Sequence, residues 1–292
     1  LGGIHRPTND KTIFAGRKTM PISTKQKCAE FRKLHESGCF VLPNPWDAGS
    51  AKLLQGMGFK ALASTSSGFA WSTGHRDNNV GCDDVLAHLK VLCAATDLPV
   101  NADFEAGYAH DPAGVAANVE RCVETGVAGL SIEDSTGDAS APLYEMKLAV
   151  ERMRAARSAI DAKGGDVMLV GRCESFLIGQ PDLKATVTRL IAYAEAGADC
   201  LYAPAIRTSE QIATVVKELA PKPVNVLWSG PGFTVAELAD LGVRRISVGG
   251  ALARTAWGAF LKAAREIADS GSFTELAHAI PNAEMNGLFA KN

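Results

Sequence analysis

The sequence predicts an α/β protein, a closed (βα)8 barrel of the TIM type. Three observations carry that reading. Short, continuously apolar runs recur eight times, as expected of strands buried on both faces of a parallel sheet. Amphipathic stretches separate them. Polar residues gather at the ends of the runs, where barrel loops carry function. Closure is favoured over an open doubly wound sheet because it leaves no strand edge. No Gly-x-Gly-x-x-Gly follows the first run, so a dinucleotide site finds no support.

In order, the strands are expected at CFVLPN (39–44), KALAST (60–65), LPVNADF (98–104), AGLSIED (128–134), VMLVGRCE (167–174), CLYAPA (200–205), VNVLWS (224–229) and RISVGG (245–250). Helices are expected over 47–57, 83–96, 112–125, 144–163, 182–196, 209–219 and 234–241. Gly58, Gly126, Gly197 and Gly242 sit just past four of these, where a helix C-terminus calls for a positive φ. Asp47 and Asp111 read as helix N-caps, the latter before Pro112. Residues 1–20 are polar, basic and aperiodic, without the apolar centre of a signal peptide. They read as a disordered extension or as a vector remnant ahead of a start at Met20. Residues 21–292 then form a single barrel domain with C-terminal helices.

Composition narrows the function. The 292 residues are 47% hydrophobic with net charge −2, enough apolar material for one barrel and no basic excess for nucleic acid or a membrane surface. No apolar run reaches the roughly 18 residues of a membrane span. Seven cysteines without a C-x-x-C pair read as reduced thiols of a cytoplasmic protein.

The second strand ends in Ser64, Thr65, Ser66, Ser67 and Gly68, the third in Asp103 and Glu105, the fourth in Glu133 and Asp134, and the fifth in Arg172 and Glu174. Side chains two apart on a strand share a face, so Asp103 and Glu105 can converge on one ion. With Asp77 and Glu133 they make an oxygen-only set, suited to Mg2+ or Mn2+ rather than zinc. Burying several like charges without a cation is costly. Arg172 can bind a substrate carboxylate or phosphonate two-pronged; it can also simply pair with Glu174 or Glu133. The small, polar 135–146 loop is a lid or an ordinary barrel loop. Tyr144, near its end, is a candidate general acid. Cys173 should face away from Arg172 and pack.

LPNPWDAGSAKLL (42–54), TSSGFAWSTGHRD (65–77), NADFEAGYAHDP (101–112), GLSIEDS (129–135), VGRCESF (170–176) and AGADCLYAPAI (196–206), in this order, resemble the isocitrate lyase and phosphoenolpyruvate mutase superfamily over about residues 25–260. The resemblance implies an α/β barrel, commonly tetrameric, with a C-terminal helix swapped between subunits; residues 273–290 could supply it. It implies Mg2+ held directly by Asp103 and through water by Asp77, Glu105 and Glu133. It implies backbone N–H groups of Ser67, Gly68 and Phe69 around a substrate carboxylate or oxyanion beside Thr65, and a substrate-anchoring Arg172. The second acid is more often aspartate; here it is Glu105. The chemistry implied is a lyase or decarboxylase forming an enolate from a small 2-oxo acid or 2-hydroxy diacid, in the manner of oxaloacetate or an alkylmalate. A phosphonopyruvate hydrolase or phosphonomutase is one alternative and a non-catalytic 2-oxo acid-binding barrel another. The Lys-Lys-Cys-Gly-His loop of isocitrate and methylisocitrate lyases is replaced by STGDASAPLYEM (135–146), which has no cysteine, histidine or lysine. The gate of the phosphonomutases is missing too, and Pro204 stands where they carry a histidine.

Overall fold

A computed structural model describes residues 22–230 and 232–290; the expectation for residues 1–20 falls outside them. Eight strands run in chain order: β1 (Phe40–Leu42), β2 (Leu62–Ala63), β3 (Val100–Asp103), β4 (Gly129–Glu133), β5 (Met168–Arg172), β6 (Cys200–Tyr202), β7 (Val224–Leu227) and β8 (Arg245–Ser247). All pair in parallel, in the order β1-β8-β7-β6-β5-β4-β3-β2. The remaining seam is drawn together by the Ala63 N–H donating to Pro43 O at 3.1 Å and by Asn44 Nδ2 donating to Ser64 O at 2.8 Å. The expected (βα)8 barrel is therefore present.

The helices are α1 (Thr24–Leu34), α2 (Ala48–Gly56), α3 (Ser66–Ser72), α4 (Cys82–Ala95), α5 (Pro112–Val123), α6 (Met146–Ala162), α7 (Leu183–Glu195), α8 (Ser209–Leu219), α9 (Val235–Asp240), α10 (Ala251–Ser270) and α11 (Asn282–Phe289). The caps fall where expected: Asp47 accepts from the Ser50 N–H and Asp111 from the Gly114 N–H. Gly58, Gly126, Gly197 and Gly242 all take a positive φ. Two short helices were not expected. α1 is started by a Ser23–Gln26 capping box. α3 is started by Thr65, whose Oγ1 accepts from the Gly68 N–H. The segment expected as a carbonyl-binding loop is thus the first turn of a helix.

Inside the barrel the core is not wholly apolar. Arg245, 2% exposed, donates through Nε to Asn225 Oδ1 (2.8 Å) and through Nη1 to Asn101 Oδ1 (3.3 Å), and Nη1 faces His35 Nε2 at 3.5 Å. Asn225 Nδ2 in turn donates to Ser247 Oγ at 3.0 Å. A polar column therefore runs from α1 to the C-terminal end of β8. Burial, then the Arg245 charge, lowers the His35 pKa to about 3.

After β8 the chain leaves the barrel. α10 is amphipathic, yet only Ala253 of its residues is buried. α11 returns to rest on the chain's own α2, with Phe289 beside Gly49. The 135–146 loop is closed at its base by a Ser135–Leu143 bridge and by Thr136 Oγ1 donating to Ala141 O at 2.6 Å.

Candidate active site

Strand register brings the polar ends together. Glu133 lies directly opposite Arg172 in the β4–β5 pair, and Arg172 opposite Tyr202 in the β5–β6 pair. Asp103 closes β3 one strand away. Here a cavity of about 170 Å3 opens, lined among others by Asn44, Ser66, Asp77, Asp103, Arg172 and Ser247.

Arg172 is the hub. Its Nε and Nη2 hold Glu174 two-pronged, the latter at 3.3 Å. Nη1 donates to Asp103 Oδ1 at 3.0 Å and lies 3.2 Å from Glu133 Oε2. The guanidinium carbon stands 5.2 Å from the Tyr202 ring centre. Asp103 Oδ2 accepts from the Ser66 N–H at 3.0 Å, and the Asp103 N–H donates to Ser64 Oγ at 2.8 Å. Burial works against the Arg172 charge, but Glu174 and Glu133 outweigh it and hold the guanidinium protonated.

The carboxylates are in excess. Burial, reinforced by the Asp103 charge, raises the pKa of Asp77 and lifts that of Glu105 to about 7. Burial raises Glu133 well above the usual range despite Arg172 beside it, and raises Glu174 in the same way. Three acids, Asp103, Glu133 and Glu174, thus contact one guanidinium, and two more, Asp77 and Glu105, feel its charge. Among the described residues no three Asp, Glu, His or Cys side chains close around one point as a direct coordination cage. A cation held by one carboxylate and otherwise by its own waters matches such a donor set, and Mg2+ keeps several waters in protein sites. The residues therefore fit a hydrated Mg2+, with Asp103 and Asp77 lining the cavity and Glu105 and Glu133 set back from its wall.

Glu105 itself has φ 45°, a left-handed conformation uncommon outside glycine. The Tyr108 hydroxyl lies beside its carboxyl without completing a hydrogen bond to it.

Other expected residues stand apart. Phe69 is half-buried and stacks on His88, ring centres 3.8 Å apart, in a separate groove with Trp46 and His75. The Phe69 N–H is held by Thr65 O within α3 and the Gly68 N–H by the Thr65 hydroxyl; the Ser66 N–H, one residue earlier, is the one that reaches Asp103. Ser67 Oγ pairs with Thr65 Oγ1 at 3.1 Å. Tyr144 does not line the cavity. It is buried, its hydroxyl 2.6 Å from His110 Nδ1 and its ring beneath Arg152. Cys173 is fully buried and packs. Asn44, Ser131, Ser247 and Arg245 also line the cavity. Ser247 closes β8 and Asn44 lies two residues past β1, so the same strand-end reasoning could have found these two; Ser131 lies in mid-strand and Arg245 opens β8.

Residues 31–268 match the sequence model of the family described as phosphoenolpyruvate phosphomutase. The chain belongs to that family. An uncharacterized protein of Mycobacterium tuberculosis is 32% identical over 257 residues, covering 87% of this chain and 94% of the relative. The 2-methylisocitrate lyase of Escherichia coli is 30% identical over 201 residues, covering 66% of this chain and 67% of its own length. Among solved structures, a Burkholderia cenocepacia chain provisionally named a lyase or mutase superposes with TM-score 0.89 at 46% identity, covering 91% of this chain and 97% of that one. A 2,3-dimethylmalate lyase superposes with TM-score 0.80 at 26% identity, covering 90% and 94%. Family membership and these relatives support a lyase or mutase activity.

Proposed function

We propose that this family member is a Mg2+-dependent carbon–carbon lyase or decarboxylase, with Mn2+ as a substitute. It takes a small 2-oxo acid or 2-hydroxy diacid, of the oxaloacetate or alkylmalate kind, through an enolate. The observation that carries this is Arg172 on the wall of a small polar cavity, with Asp103 and Glu133 against the same Nη1. Three of the five Arg172 N–H groups donate to Glu174 and Asp103. Glu133 faces the same Nη1 as Asp103, so the second Nη2 N–H is the donor left to meet a substrate carboxylate. The cavity is smaller than the roughly 300–1,000 Å3 of drug-sized sites, which suits a ligand of few heavy atoms. Bound Mg2+ would polarise the keto oxygen and offset the charge that grows there as the bond at C3 breaks. The chain's own part is to orient the acid through Arg172, to keep Asp103 aimed by the Ser66 and Ser64 bonds, and to limit water. The 135–146 loop offers no thiol, imidazole or ammonium, which speaks against a cysteine acid/base at that position. The same reading takes a small carboxylate as the partner, a homo-oligomer as the assembly and the cytoplasm as the setting.

The test is turnover. Purified protein with Mg2+ is offered oxaloacetate, alkylated malates, methylisocitrate, isocitrate and phosphonopyruvate, and pyruvate, glyoxylate and phosphate are followed. Release of pyruvate or glyoxylate from a carbon substrate is expected. Turnover of the phosphonate alone overturns the lyase reading, and oxalate binding without any turnover favours the binding-only barrel.

A further inference from the structure

The loop between β3 and α5 carries Glu105 and is held by two side chains outside the active site. Arg152, on α6 and 1% exposed, donates through Nη1 to the carbonyls of Ala109 and His110, each at 2.5 Å, and through Nη2 to that of Ala106. Asn118, on α5, donates through Nδ2 to the carbonyls of Gly107 (3.0 Å) and Tyr108 (3.2 Å). Every carbonyl from 106 to 110 is thereby engaged. Arg152 forms no salt bridge among the described residues. Its guanidinium carbon sits 3.9 Å from the centre of the Tyr144 ring, and the Tyr144 hydroxyl holds His110. A buried guanidinium given wholly to one loop's backbone is an unusual use of charge, because buried cations normally pair with acids.

The loop needs that restraint. Glu105, Gly107 and Tyr108 all have positive φ, at 45°, 75° and 55°. Two of the three are not glycine, and such conformations persist only where the surroundings over-determine them. The Glu133 N–H donates to Glu105 O at 3.0 Å, so the loop's geometry also reaches the next acid. A planar fork reaching three carbonyls is a task a lysine ammonium, with its single nitrogen, does poorly.

Resting on the metal reading above, we propose that Arg152 and Asn118 are positioning residues. They hold the 105–110 loop in the conformation that brings Glu105 toward Asp103 and Asp77, and so set the affinity for a divalent cation. Tyr144 belongs to this clamp.

The experiment uses the full chain and Mn2+ as probe, with affinity read by electron paramagnetic resonance and loop order by deuterium exchange of amides 105–110. Wild type should bind Mn2+. Asn118→Ala and Arg152→Lys should weaken binding tenfold or more and speed exchange in that loop alone. In Arg152→Gly, guanidinium should restore binding while methylammonium does not. If the Arg152 variants do not fold, Asn118→Ala and Tyr144→Phe carry the test. Wild-type Mn2+ binding with affinity within twofold in these variants overturns the clamp alone. Absence of Mn2+ binding in wild type overturns the metal reading, and the clamp's role with it.

Discussion

Asp103 and Arg172 divide one small space, and their substitutions should separate cleanly. Asp103→Ala should abolish metal-dependent oxalate binding in calorimetry; unchanged affinity would remove Asp103 from the ion. Arg172→Lys should lose about tenfold in affinity for a dicarboxylate, because one ammonium cannot hold Glu174 and Asp103 and still meet the substrate as the planar fork does. Equal losses for mono- and dicarboxylates would make Arg172 structural. His35 carries a pH prediction. Its folded pKa of about 3 lies below the ordinary value of 6.5, so the unfolded chain takes the proton first. The stability is fully present above pH 6.5 and is lost as pH falls toward 3. At pH 4.5 the loss is roughly 3 kcal/mol by linkage. Urea melts of wild type and His35→Gln at pH 7 and 4.5 check it, and the gap between the two pH values should narrow in the variant.

At the scale of elements, β4 shows how packing fixes a functional strand. A Cβ at Gly129 would lie 2.7 Å from Phe31 Cε1, 2.8 Å from Asn101 Oδ1 and 3.3 Å from Met168 O. Gly129→Ala should therefore cost about 1–3 kcal/mol through overpacking, visible as a lower Tm. An unchanged Tm would mean that α1 can give way. The eight strands and seven helices were legible because apolar runs, caps and Gly stops repeat the same local chemistry. α3 was not, since Ser66, Ser67 and Gly68 are weak helix formers and only the Thr65 cap starts it. α1 had a readable capping box ahead of a short amphipathic face. Asp103 and Arg172 were legible as polar groups at strand ends. The left-handed backbone at Glu105 was not, because nothing in that residue type announces it. Nor was the Arg152 clamp, whose acceptors lie more than forty positions away in sequence.

At the scale of the molecule, α10 and the tail after it leave Phe260, Phe273, Leu276 and Ile280 between 47% and 63% exposed. The homo-oligomer proposed above would cover exposed apolar side chains of this kind. Light scattering should return two or four times the 30.7 kDa chain mass, and Phe260→Asp should lower it; a single-chain mass for wild type would refute the oligomer. The barrel's seam has a different consequence, in time rather than space. β1 forms its ladder only with β8, about 200 residues later, and on its other side meets β2 through no ladder, only the Ala63–Pro43 and Asn44–Ser64 bonds. While the protein is being made, β1 has no β8 beside it, and its pairing groups wait for the last strand to emerge. Such late, long-range closure slows folding and leaves an edge open to other nascent chains. Synthesis stalled before residue 245 would yield an open sheet, so chaperone dependence should fall sharply once β8 has cleared the ribosome.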